Sequence, residues 1–77
     1  MSRLVNLENC LKEKRKALGF TQAELAERIQ VSRKTINTIE NRVFVPSTIL
    51  ALKLARVLEV NVEDLFQLKN ENVGSDE

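Results

Sequence analysis

An all-α domain of five short helices is the fold the sequence predicts, and three observations predict it. Residues able to cap a helix recur just ahead of apolar-periodic stretches, at Asn6, Thr21, Ser32, Ser47 and Asn61. Between these positions apolar residues return at spacings of three and four, the period of one helix face. The chain has 77 residues, 43% hydrophobic and 30% charged, which fits one small globular domain whose single core is only just sufficient. One addition comes from the ends: Leu4-Val5 and Gln67-Leu68-Lys69 can pair as a small two-stranded ribbon.

The first helix follows Asn6 and carries Leu7, Cys10, Leu11, Ala17 and Leu18 inward, with Lys12-Glu13-Lys14-Arg15-Lys16 outward. Gly19 ends it, since glycine takes the left-handed conformation without a steric penalty. The second helix opens with Thr21-Gln22-Ala23-Glu24, a capping box, so it starts at Gln22 with Leu25, Ala26 and Ile29 facing in. A break at Gln30-Val31-Ser32 follows, and Ser32 caps a third helix from Arg33. Ile36 and Ile39 set its buried direction; at 100° per residue Lys34, Asn37, Thr38 and Asn41 point away from it, with Arg33 on the flank. Glu40 lies about 70° from that buried direction and so needs a cation.

Arg42-Val43-Phe44-Val45 is a loop with three consecutive apolar residues, which implies that Phe44 is packed. Ser47 caps the fourth helix, Thr48 to Leu58, which is apolar over more than half its circumference and exceeds what one domain face can bury. Asn61-Val62-Glu63-Asp64 starts a brief fifth helix with Val62, Leu65 and Phe66 inward. The domain is expected over residues 1–69, its helix pair over 21–41, and residues 70–77 form a polar, acidic tail expected to fray.

Composition removes several function classes. The longest apolar run is the four residues Ile49 to Leu52, and no secretory signal pattern precedes them, so a cytoplasmic, soluble protein without a membrane partner is expected. No histidine and one cysteine leave no transition-metal site, and Cys10 is expected reduced and packed. With no cysteine pair and no glycine-rich phosphate loop either, the sequence reads as neither an enzyme nor a cofactor binder. Net charge is only +1, but it is unevenly spread: residues 1–42 hold nine Lys/Arg against five Asp/Glu, residues 43–77 three against six. The basic half contains the helix pair.

Leu18-Gly19-Phe20-Thr21-Gln22-Ala23-Glu24-Leu25-Ala26, Val31-Ser32-Arg33-Lys34-Thr35-Ile36, Ile39-Glu40-Asn41 and Pro46-Ser47 together resemble the Xre/Cro/C1 helix-turn-helix family, over roughly residues 7 to 67. The resemblance implies a five-helix lambda-repressor-like domain that binds double-stranded DNA and regulates transcription. Helix two would lie across the DNA backbone and helix three in the major groove. By the same resemblance Arg33, Lys34 and Thr38, with Asn37 alongside, would read bases; Gln22, Ser32, Asn41 and Arg42 would contact phosphates. Chemically, Arg33 or Lys34 suits guanine, Asn37 suits adenine, and the Thr38 methyl suits thymine. Lys12, Lys16 and Arg28 are further candidates for displacing counterions. Arg15 matches the arginine that pairs with the glutamate corresponding to Glu40, a structural ion pair.

Two positions depart from the family pattern. Gln30 stands where glycine is usual, at a strain of about 1 kcal/mol if left-handed, and Arg42-Val43-Phe44-Val45 replaces a Gly-Lys-rich loop. The surplus apolar surface of helix four, with Leu52, Val62, Leu65, Phe66 and Leu68 as the contact residues, implies a homodimer on a palindromic operator. No small-molecule effector is evident. The alternative is an antitoxin or co-activator-like protein-interaction module on the same fold.

Overall fold

The structure, a computed structural model, describes residues 5–70. In chain order it comprises β1 (Val5–Asn9), α1 (Leu11–Ala17), α2 (Gln22–Ile29), α3 (Arg33–Glu40), α4 (Thr48–Leu58), α5 (Val62–Leu65) and β2 (Phe66–Asn70). The fold is therefore mostly helical and carries a two-stranded antiparallel ribbon, so the all-α description holds only for its centre. The acidic tail expected at 70–77 falls, beyond Asn70, outside the described residues, as does Leu4.

Three of the helix starts follow directly from side-chain caps. The Glu24 amide donates to Thr21 Oγ1 at 3.0 Å while the Thr21 amide donates to Glu24 Oε1 at 2.8 Å, closing the capping box of α2. Thr35 N donates to Ser32 Oγ at 3.2 Å, and Leu50 N to Ser47 Oγ at 3.2 Å, which starts α3 and α4. At α5 the Asn61 carbonyl, not its side chain, takes the Asp64 amide.

The four longer helices also end alike. Gly19, Gln30, Arg42 and Glu59 all have φ between 60° and 79°, in the left-handed region. At the end of α1 the Gly19 and Phe20 amides return to the Lys16 and Arg15 carbonyls, and at the end of α3 the Val43 amide reaches back to Thr38. Three of these four positions are non-glycine, and each stores roughly 1 kcal/mol of strain that the surrounding helix packing must overcome.

The start of α1 differs from the sequence expectation. Asn6 does not cap a helix: residues 5–9 form β1, which pairs with β2 in the register Val5↔Asn70, Leu7↔Leu68 and Asn9↔Phe66. The helix begins only at Leu11, with the Asn9 Oδ1 accepting the Leu11 amide at 3.1 Å. Ribbon pairing supplies backbone partners for residues 5–9 that a helical extension would otherwise supply, and it joins the two ends of the domain. Consequently Leu7 lies on a strand, Cys10 is a half-buried N-cap with its Sγ 3.0 Å from the Asp64 carbonyl, and Ala17 and Leu18 are exposed.

The core is shared by every helix: Leu11, Leu25, Ala26, Ile29, Ile36, Ile39, Leu54, Ala55, Leu58 and Leu65. Leu65 is completely buried in this core, which removes it from the expected subunit contact. Phe44 is not packed as its apolar loop implied; it is 46% exposed, and Val43 and Val45 more so. Leu52 and Leu68 stand out from the surface, whereas Val62 and Phe66 are half-buried. A shallow apolar groove runs between α4, α5 and the ribbon, lined by Leu7, Pro46, Thr48, Ala51, Leu52, Val62 and Phe66. Among the described residues no helix is long and apolar enough to cross a membrane.

Candidate nucleic-acid interface

The surface of interest is built where α1, α2 and α3 meet. Arg15, on α1, does not face outward with the rest of the Lys12–Lys16 run; it is 6% exposed, deep for a guanidinium, and is held by three hydrogen bonds. Its Nε donates to Glu40 Oε2 at 2.6 Å, Nη2 to Glu40 Oε1 at 3.3 Å, and Nη1 to the Phe20 carbonyl at 2.8 Å. This two-point contact fixes α3 to α1 and to the turn that introduces α2. A buried charge pair stabilises weakly against an apolar substitute, but it enforces one arrangement, because either charge alone would be stranded.

From Glu40 the polar contacts continue outward. Gln22 Nε2 donates to Glu40 Oε1 at 3.0 Å and to Asn37 Oδ1 at 3.2 Å, and Asn41 Nδ2 donates to the same Asn37 oxygen at 3.3 Å. Both Gln22 amide protons are thus used inside the protein, so its side chain has no donor left over for a phosphate. The Gln22 and Ala23 backbone amides, at the N-terminus of α2, are the remaining donors there.

On α3 itself Arg33, Lys34, Asn37 and Asn41 are exposed on one side while Ile36 and Ile39 are buried on the other. Thr38 is half-buried, and its hydroxyl donates to the Thr35 carbonyl at 3.0 Å. Ser32 combines its capping bond with a 3.0 Å contact to the Thr35 hydroxyl. Arg42 departs from α3 in the left-handed conformation and forms a salt bridge with Glu8 of β1. A hollow beside α3 is lined by Ser32, Lys34, Thr35, Thr38, Val43 and Phe44. Lys12 and Lys16 are exposed, and the Arg28 guanidinium stacks on the Phe20 ring at 4.7 Å from its centroid.

Two positions escaped the sequence reading. Asn9 not only accepts the Leu11 amide but donates from Nδ2 to the Ile39 carbonyl at 3.0 Å, so one side chain ties the ribbon to the start of α1 and the end of α3. The signal was present in Asn9-Cys10-Leu11, an asparagine two residues before an apolar start. The Glu8–Arg42 pair joins residues 34 apart and carried no local signal.

A family model described as Helix-turn-helix matches residues 11–65, the span from the start of α1 to the end of α5. The chain belongs to the helix-turn-helix family, of Xre/Cro/C1 type. This is a family of DNA-binding transcriptional regulators. Among helix-turn-helix relatives, it is 39% identical over 66 residues to the uncharacterized HTH-type transcriptional regulator YgzD of Bacillus subtilis, covering 86% of this chain and all of that one. An uncharacterized HTH-type regulator of Methanothermobacter thermautotrophicus is 46% identical over 63 residues, with 80% and 91% covered.

Two solved helix-turn-helix structures resemble the fold. The restriction-modification controller protein C.AhdI of Aeromonas hydrophila superposes with a TM-score of 0.68 at 32% identity, over 73% of this chain and 81% of that one. The SOS-response transcriptional repressor LexA of Eubacterium rectale gives a TM-score of 0.68 at 27% identity, covering 87% and 69%.

Proposed function

We propose that the protein is a sequence-specific, double-stranded DNA-binding regulator that reads the major groove with α3 and binds a palindromic operator as a homodimer. The observation that carries this reading is the solvent face of α3. Arg33, Lys34 and Asn37 are exposed side by side on a helix whose opposite face is locked into the core by Ile36, Ile39 and the Arg15–Glu40 pair. A rigid helix with hydrogen-bonding side chains along one face suits direct readout of base edges.

In this reading Arg33, Lys34, Asn37 and the Thr38 methyl meet bases. Phosphates are met by Ser32, Asn41, the backbone at Gln22, and Arg42 once it exchanges Glu8 for DNA. The subunit contact uses Leu52, Val62, Phe66 and Leu68 around the apolar groove, without Leu65. The domain spans residues 1–69, works in the cytoplasm by occupying its site, and has no catalytic role.

The test is selection of binding sites from a random DNA pool by the full chain. A recovered palindrome with half-sites about 34 Å apart establishes reading and symmetry together. Exchanging Lys34 and Asn37 for alanine should abolish the preference while leaving the fold intact; an unchanged preference would sink the assignment of α3. Sedimentation as a monomer at micromolar concentrations would remove the dimer.

A further inference from the structure

The polar chain from Arg15 to Asn37 has a direction. Glu40 can only accept hydrogen bonds, and its side chain is 4% exposed, so its partners must present donors. Two are Arg15 nitrogens, which can never turn into acceptors. The third is the Gln22 side-chain amide, 3.0 Å away, and it must therefore turn its nitrogen, not its oxygen, toward Glu40.

That orientation passes on to the next residue. The same Gln22 nitrogen lies 3.2 Å from the Asn37 side chain, so Asn37 must answer with its oxygen. Asn41 Nδ2 donates to this oxygen as well, at 3.3 Å, which occupies both of its lone-pair positions. The Asn37 amide nitrogen, with two protons, is what remains for a partner. Arg15 is 6% exposed and Asn37 is on the surface, so a buried charge sets the polarity of an exposed amide.

We infer that Asn37 meets DNA as a hydrogen-bond donor only, and that Gln22, oriented by the Arg15–Glu40 pair, is the positioning residue that makes it so. The inference rests on α3 being the major-groove helix. An asparagine free to use both ends pairs with adenine, accepting from N6 and donating to N7. With its oxygen already filled, Asn37 instead matches guanine, which offers the two acceptors N7 and O6 in the major groove. This reverses the adenine preference that residue type alone suggests. Gln22 thus selects a base that it does not touch.

Two measurements test it. In the free protein, the Gln22 side-chain amide protons should exchange slowly with water and those of Asn37 rapidly, observed by nuclear magnetic resonance. Protected Asn37 amide protons would overturn the inference whatever the protein binds. In site selection, Asn37→Ala should flatten one base pair of each half-site, which locates the contact. The unaltered protein should prefer guanine there. Gln22→Met removes the donor at similar length and leaves only the exposed Asn41 bond, so preference should move toward adenine by about tenfold. Adenine in the unaltered protein, or guanine retained by Gln22→Met with its melting temperature little changed, refutes the inference. If no DNA is selected by any form, the reading of α3 fails, while amide exchange still decides the polarity of Asn37.

Discussion

The domain has two faces that differ in how they specify a partner. Around α2 and α3 a chain of directed hydrogen bonds runs from the buried Arg15 and Glu40 through Gln22 to the exposed Asn37. Around α4, α5 and the ribbon large apolar side chains stand exposed among charged ones: Ile49 is 70% exposed, Leu52 52% and Leu68 78%. Hydrogen bonds are directional, so the first face can distinguish one arrangement of donors and acceptors from another. Apolar burial is non-directional and scales with area, so the second face suits association but carries little information. The fold keeps these roles on separate elements, and each can be altered with the other in place.

The largest effect should come from breaking the polar side at its root. Glu40→Leu strands a buried guanidinium and should destabilise the fold by about 3–5 kcal/mol, read from urea unfolding. A domain of this size has a stability on the order of 5 kcal/mol, so the variant should be close to unfolded at room temperature. Adding Arg15→Met should recover much of the loss, since an apolar pair leaves no charge unpaired. If Glu40→Leu alone unfolds like the unaltered protein, the polar chain is not what holds α3 to α1.

Next in size is a contrast within the apolar side. Leu65→Ala opens a cavity in the core and should cost about 2–5 kcal/mol. Leu68→Glu, two register positions along β2 from Phe66 and 78% exposed, should change monomer stability by less than about 0.5 kcal/mol. It should nonetheless weaken self-association in sedimentation equilibrium. A loss of folding by Leu68→Glu comparable to that of Leu65→Ala would erase the distinction between core and contact surface on this face.

Legibility in the sequence divides along related lines. The beginnings of α2, α3 and α4 were readable because Thr21, Ser32 and Ser47 act on amides three residues away, a local code. The buried directions of α3 followed from Ile36 and Ile39 by helical geometry alone. By contrast the ribbon is legible only at its ends, in Leu4-Val5 and Gln67-Leu68-Lys69, while the rest of β1 reads as helix because Leu7, Cys10 and Leu11 fit a helical spacing, and only pairing with β2 some sixty residues away decides for strand. For the same reason Leu65 could not be told from Leu68: both are leucines near the C-terminus, and burial depends on what lies opposite. At the site, residue types and outward direction were visible, but the orientation of the Asn37 amide depends on Gln22 and Glu40, fifteen and three positions away and on two helices.

A smaller change probes the start of α3 alone. Ser32→Ala deletes the side-chain acceptor for the Thr35 amide and should cost about 1 kcal/mol of stability. The α4 cap offers the matched control, since Ser47→Ala removes the equivalent bond to Leu50 on the apolar side. Similar stability losses with a drop in DNA affinity for Ser32→Ala only would show that the start of α3, through its cap and the phosphate contact proposed for Ser32, and not stability in general, governs binding.

The smallest expected effect concerns the left-handed residues that end α2 and α4, one on each side of the comparison. Gln30 has φ 64° and Glu59 φ 60°, and both are exposed, so neither side chain gains burial in return for the strain. Glycine removes the Cβ clash, which contributes about 1 kcal/mol, but increases the freedom of the unfolded chain, which opposes it by roughly 0.4–1 kcal/mol. Gln30→Gly and Glu59→Gly should therefore each change stability by no more than about 0.5 kcal/mol, with a gain the favoured sign. Measured by thermal unfolding, a loss larger than 1 kcal/mol for Gln30→Gly alone would mean that the Gln30 side chain supports the turn between α2 and α3. The strain would then belong to the polar face as part of its construction, and the parallel with Glu59 would fail.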